Sequence, residues 1–211
     1  MTVATKLKTA GNGSAPLSAD VVRIVVPKIE VKTVRLRLVG VSPLITDNGD
    51  SAVPKLEKKQ SAAPKEKLGA RDPAADFKRS VYLTKDGKYG MRRLAFKKAV
   101  VVAAGRYTEH FMTVVNGIVT IRGDEIIPLD AGEPVMRRDR VVPKKGSTDV
   151  RYRAEFWPWA VDLDVDFIHP DITIEQLIHL FRRAGRSVGI GNWRPEKSGD
   201  FGTWDVEDVQ A

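Results

Sequence analysis

Apolar and polar residues alternate most regularly between Ala160 and Ile168, where Val161, Leu163, Val165 and Phe167 interleave with Asp162, Asp164 and Asp166. A period of two predicts a strand with one buried face. A period near 3.6 follows at once. Ile174, Leu177, Ile178, Phe181 and Ala184 trace one stripe, and Thr173 with Gln176 has the spacing of a capping box. This predicts a helix from Thr173 to Arg186, with Arg182, Arg183 and Arg186 near its C-terminus, where cations suit the helix dipole. A shorter alternating segment, Thr203 to Val209, predicts a terminal strand.

Earlier in the chain, Val34, Leu36 and Leu38 alternate with Arg35 and Arg37, which predicts a strand from Val34 to Ile45 whose regular part closes at Pro43. Asp86-Gly87 between Val81-Tyr82-Leu83 and Tyr89-Gly90-Met91 predicts a hairpin. From Leu94 to Tyr107, Phe96, Ala99, Val100, Ala103 and Ala104 share one face and predict a helix, with Lys97, Lys98 and Arg106 away from it. Ile118–Ile121 and Glu125–Leu129 predict a second hairpin around Gly123-Asp124. With the hairpins set aside, the order reads strand, helix, strand, strand, helix, strand. The expected class is therefore α+β, with a ferredoxin-like (RRM-like) βαββαβ core carrying hairpin and loop insertions.

Two stretches lack any apolar period. Met1 to Asp20, rich in Gly, Ser, Thr, Ala and Lys, reads as a flexible arm, and residues 21–211 as one domain. Within it, Asp47 to Asp76 carries Pro54, Pro64 and Pro73 among many lysines and reads as a mobile basic insertion, the alternative being a solvated loop without a role. Val21–Val26 reads as an accessory strand.

Composition narrows the function. The 211 residues carry a formal net charge of +8, an electrostatic footprint suited to a polyanion. The absence of cysteine excludes disulfides, thiolate chemistry and Cys-rich zinc sites. No apolar stretch reaches membrane-spanning length and the N-terminus lacks an apolar signal core, so the expectation is a soluble cytoplasmic protein.

The positive charge is concentrated. Arg137, Arg138, Arg140, Lys144, Lys145, Arg151 and Arg153 stand against only Asp139 and Asp149. Tyr152, Phe156, Trp157 and Trp159 close by could stack on bases, unless Phe156 and Trp159 enter the core and leave Trp157 alone exposed. A second cluster is the loop Gly189-Ile190-Gly191-Asn192-Trp193-Arg194-Pro195-Glu196-Lys197-Ser198-Gly199-Asp200-Phe201-Gly202. Glycines at this spacing can turn amide groups to one side, where an anion sits. Arg194 and Lys197 add charge and Trp193 a stacking face. The other reading is a long connection in which the glycines only turn the chain.

A ferredoxin-like arrangement with a glycine-rich loop between its second helix and last strand resembles the RAMP superfamily, the RNA-binding proteins of CRISPR systems. The backbone subunits that line up along a guide RNA are the closest comparison. The matching residues are Gly189-Ile190-Gly191 and Gly199-Asp200-Phe201-Gly202, flanked by the helix with Arg182-Arg183. The basic insertion also resembles the lobes by which such subunits reach their neighbours. The chain further resembles uncharacterised bacteriophage proteins with similar Ser42-Pro43-Leu44-Ile45, Phe77-Lys78-Arg79-Ser80, Phe96-Lys97-Lys98-Ala99 and Trp193-Arg194-Pro195 segments. Together the likeness covers roughly residues 34 to 209.

Three functional classes follow. The first expectation is a sequence-independent binder of single-stranded RNA or DNA, RNA foremost, that assembles into a homo-oligomer or filament along the strand, with no cofactor and no membrane. Its site residues are Arg137, Arg138, Arg140, Lys144, Lys145, Arg151, Arg153, Gly189, Gly191, Trp193, Arg194, Lys197 and Gly199. The second class is a self-assembling phage structural or interaction protein. The third is a RAMP-like nuclease using His110 or Mg²⁺ on the Asp162, Asp164, Asp166 row. That row reads more simply as a solvated outer sheet face, and an acidic face leaves the basic loops, not the open sheet, as the platform for nucleic acid.

Overall fold

The computed structural model describes residues 28–49, 72–109, 111–141 and 149–210. The N-terminal arm, the accessory strand, most of the basic insertion, His110, Lys144 and Lys145 lie outside them. The fold is mixed α+β, built from antiparallel sheets and four helices among the described residues.

Strand β1 (Glu30–Gly40) and strand β2 (Leu44–Thr46) are separated by Val41-Ser42-Pro43. Helix α1 (Pro73–Ser80) leads into the hairpin β3 (Tyr82–Leu83) and β4 (Tyr89–Arg92), then α2 (Arg93–Tyr107) and α3 (Met112–Ile118). Strands β5 (Val119–Ile121), β6 (Ile126–Pro128), β7 (Asp130–Ala131), β8 (Val135–Val141), β9 (Asp149–Phe156) and β10 (Trp159–His169) follow. Helix α4 (Ile174–Ser187), a 3₁₀ turn at Pro195–Lys197 and β11 (Trp204–Gln210) complete the chain.

The main sheet has the order β11-β1-β10-β5, all neighbours antiparallel, with β7 also paired to the start of β10. Alternation divides its two faces as the sequence predicts. Val34, Leu36 and Leu38 of β1 are buried with Val161, Leu163, Val165 and Phe167 of β10. The same cluster takes in Phe96, Ala99, Val100 and Ala103 of α2 and Leu177, Leu180, Phe181 and Ala184 of α4, so both helices cover one face. Burying each Leu or Phe stabilises the fold by about 1.5–3 kcal/mol. Helix α4 closes on this core through its capping box, with Thr173 accepting from the Gln176 amide at 3.3 Å and Gln176 accepting from the Thr173 amide at 2.9 Å. Thr173→Ala is expected to cost about 1 kcal/mol and to lower Tm by about 2–4 °C, measurable by thermal unfolding.

Beyond the main sheet, β1 bends into β2 and β10 bends back into β9. Trp159 fixes the bend: it is 1 % exposed and donates from Nε1 to the Ser42 carbonyl at 2.8 Å. The continuation forms a second sheet, β2-β9-β8, an arm in which β8 is an edge strand.

Four local expectations are corrected. The strand placed over Val34 to Ile45 is two strands in two sheets, because Pro43 and the turn before it break the ladder. Helix α1 arises inside what read as patternless insertion; Asp72 caps it, accepting from the amides of Ala74 and Ala75, with Pro73 in the first turn. Helix α3 occupies the approach to β5. Strand β6 does not fold back on β5 around Gly123. It pairs with β4, so that a third small sheet, β3-β4-β6, forms. The hairpin at Asp86-Gly87 stands, with Gly87 at φ 77°.

Candidate nucleic-acid interface

The pleat of the arm sorts its cations into two sets. Register places Val135, Arg137, Asp139 and Val141 opposite Glu155, Arg153, Arg151 and Asp149. On that face opposite charges meet. Arg137 bonds Glu155 at 2.7 Å and Asp139 at 2.8 Å. Arg153, only 6 % exposed, reaches Asp47 at 3.2 Å and Asp139 at 3.4 Å. Arg151 lies 3.8 Å from Asp47 and 3.6 Å from Asp149. Arg137 and Arg153 are committed to holding the arm together, Arg153 because a buried charge persists only with its partner, whereas Arg151 is half-exposed and makes only these two longer contacts among the described residues. On the other face, Arg138 lies opposite Tyr152 and Arg140 opposite Val150. Arg138 and Arg140 are exposed and form no ion pair with another described residue.

The glycine-rich loop lies beside β2, in line with β11. The Asn192 amide bonds the Ile45 carbonyl at 2.9 Å, Gly202 bonds Pro43 at 2.8 Å, and Val41 bonds Thr203 at 2.8 Å. Other loop amides are spent within the loop: Ile190 to Gly202, Phe201 to Trp193, and Gly199 to Arg194. Gly191 and Gly202 stand at φ 74° and 65°, and a Cβ there would overlap the carbonyls of Ile45 and Ile190. Close approach of backbone to backbone therefore accounts for these glycines, as it does for Gly199 against the Trp193 carbonyl.

Of the loop side chains, Trp193 is 41 % exposed at a left-handed φ of 56°, and Lys197 is exposed. Arg194 is tied down, bonding Glu196 at 2.7 Å and the Gly191 carbonyl at 3.0 Å. Burial alone would push the Glu196 carboxyl up. The Arg194 hydrogen bonds, aided by the charges of Arg194, Lys197 and Arg106, outweigh it and hold the group below its ordinary range. Loop and arm meet where the Arg137 guanidinium lies over the Phe201 ring, 4.5 Å from its centroid. Of the aromatics near the arm, Phe156 and Trp159 are in the core, Tyr152 is half-buried and Trp157 is 55 % exposed.

The acidic row is neutralised from the neighbouring strands. Asp164 accepts from Arg35 at 2.7 and 2.9 Å, Asp166 from Arg122 at 2.6 Å and Thr33 at 2.7 Å, and Arg37 binds both Asp162 and Asp130. Among the described residues no group of three or more His, Cys, Asp or Glu could hold a metal. The Arg35 hydrogen bonds, against some loss of hydration and with the charges of Arg35 and Arg122, hold the Asp164 carboxyl below its ordinary value. A depressed folded value stabilises the fold above the unfolded value of about 3.9, and the contribution is lost as pH falls through the folded value. The stability difference between the parent and Asp164→Asn, measured by urea unfolding from pH 6 downward, is therefore expected to shrink below about pH 4.

Sequence reasoning gave no role to Arg92, Lys97 and Lys98, which the fold sets across a groove from Gly189, Gly191 and Arg194. The helical spacing of Lys97 and Lys98 was visible, but the wall they face comes from the opposite end of the chain. Among the described residues no helix is long and apolar enough to cross a membrane. No family model matches the chain, and no curated protein matches it significantly.

Proposed function

We propose that the chain binds single-stranded nucleic acid, RNA foremost, without regard to sequence, and that copies line up along the strand in the cytoplasm. One observation carries this reading. The pleat leaves Arg138 and Arg140 uncommitted beside Tyr152, on an arm joined to the loop that exposes Trp193 and Lys197. Uncommitted cations beside the half-buried Tyr152, with the exposed Trp193 on the joined loop, suit a backbone that offers phosphates and base faces in turn. The main-sheet order β11-β1-β10-β5, with α2 and α4 on one face, supports a ferredoxin-like core and hence the RAMP-like reading. The outer sheet face supports the same placement of the site, because its arginines are paired with aspartates and it carries no stacking row.

Filter binding of labelled single-stranded RNA, single-stranded DNA and duplex over a range of salt tests the reading. Log affinity for single strands should fall linearly with log salt at about 0.7 per phosphate contact, with little dependence on base sequence. Equal affinity for duplex, or affinity indifferent to salt, would remove the proposal.

A further inference from the structure

Helix α2 is apolar almost all the way round. Its inner stripe, Phe96, Ala99, Val100 and Ala103, enters the core. Its outer residues Leu94, Ala95, Lys98, Val101 and Val102 recur at the one-, four-, seven- and eight-residue steps of a helix-packing seam. Helix α3 packs Met112 against Gly105 at the far end of that seam, and Ala95, Val101 and Val102 are half-buried against the core. Leu94 is 48 % exposed and Lys98 is exposed, and the seam forms one wall of a groove of about 690 Å³. Met91, Met112 of α3, Val188 at the end of α4 and Ile190 of the loop add to its apolar surface. The seam spans about 12 Å, two helical turns.

The charge of the groove selects its occupant. Two carboxylates line it, but Glu196 is held by Arg194 and Asp47 by Arg153. Lys97 and Lys98 also line it and have no ion-pair partner among the described residues. The surface on offer is thus aliphatic with unspent positive charge. A nucleobase finds no platform there: the one aromatic ring in the lining, Tyr82, is 7 % exposed and lies under the Arg92 guanidinium. Aliphatic side chains and two methionines, Met91 and Met112, are instead an adaptable surface for other aliphatic side chains.

Among the described residues no helix complements this charge. Helix α4 exposes Arg182, Arg183 and Arg186, α1 ends in Lys78 and Arg79, and α3 carries no charge. Residues 50–71 carry six Lys or Arg against three acids, and residues 1–27 carry three against one. We infer that the groove between α2 and the glycine-rich loop docks an acidic amphipathic helix of a partner protein. Its apolar stripe lies along Leu94, Val101 and Val102, and its carboxylates meet Lys97 and Lys98.

The test is fluorescence anisotropy on the full chain with labelled 14-residue helical peptides. The panel holds acidic helices with a Leu, Met or Phe stripe, twins with Lys for Glu, and scrambled acidic controls. At least one acidic helix should saturate at one per chain, with its twin and scramble at least about tenfold weaker. Leu94→Asp and Lys98→Glu change exposed positions, so each should leave thermal unfolding near the parent's and weaken the acidic helix at least about tenfold. The double variant Arg138→Glu/Arg140→Glu should hold the peptide as the parent does, which separates this site from the strand-binding one. Binding of the Lys twin as tightly, unchanged affinity in folded Leu94→Asp, or no saturation by any acidic helix would overturn the inference. Displacement of bound peptide by a single-stranded oligonucleotide would also overturn it, by assigning the groove to the strand. Peptide binding without any oligonucleotide binding would instead retire the nucleic-acid reading and leave this one standing.

Discussion

Reversing Arg138 and Arg140 together to Glu is expected to weaken single-strand binding by about tenfold or more at moderate salt. It should also flatten the log–log salt dependence by about 1.4, two contacts at about 0.7 each. The fold should survive, because both side chains are exposed and neither pairs with a described residue. The neighbouring arginines behave in the opposite way. Arg153→Ala would leave Asp139 buried, 7 % exposed, beside one fewer cation. Breaking a buried pair typically costs about 3–5 kcal/mol, so this variant is expected to lose stability before it loses affinity. Urea unfolding and filter binding on both variants read out the contrast. Parent-like affinity in the folded double variant would take the arm out of the site.

Gly202→Ala is expected to be the most destabilising single change in the loop, at about 3–5 kcal/mol. Two penalties combine: a left-handed backbone at φ 65°, and a Cβ overlapping the Ile190 carbonyl with backbone on both sides and no flexible side chain to move. Gly87→Ala is the control. Its φ of 77° carries the same conformational penalty, but nothing lies within 4 Å of the added carbon. It should cost about 1–2 kcal/mol. Differential scanning calorimetry separates the two. If Gly202→Ala unfolds near the parent's temperature while strand binding falls, the loop is a binding element and its packing role is secondary.

Local signals made part of this molecule legible. Strand β10 alternates without a break from Val161 to Phe167, and α4 carries both a stripe and its own cap, so each is specified by residues that are neighbours in sequence. Helices α1 and α3 span eight and seven residues, too short for a period to rise above chance, although Asp72-Pro73 is a start signal in its own right. The partner of β6 could not be read, because Ile126–Pro128 is apolar enough to pair with either β5 or β4 and only the tertiary fold decides. The division of the basic segment has the same cause. Arg137 and Arg138 are adjacent and chemically identical; what separates them is which one meets Glu155 across the ladder. The loop glycines were conspicuous in sequence, but their neighbours are the carbonyls of β2 and of the loop itself, which no spacing reveals.

Edge strand β11 has already used backbone groups that another strand would need. The Val206 amide bonds the Asp205 carboxylate, its carbonyl accepts from Arg182, and the Val209 amide bonds Asp208. A sheet with one guarded margin cannot propagate from copy to copy, since each addition needs two open margins. The main sheet's other margin among the described residues is β5, while β8 borders the separate sheet β2-β9-β8. On the proposed reading, a row of copies is therefore not built by adding a neighbour's strand to β11, and its length would follow the nucleic acid it covers.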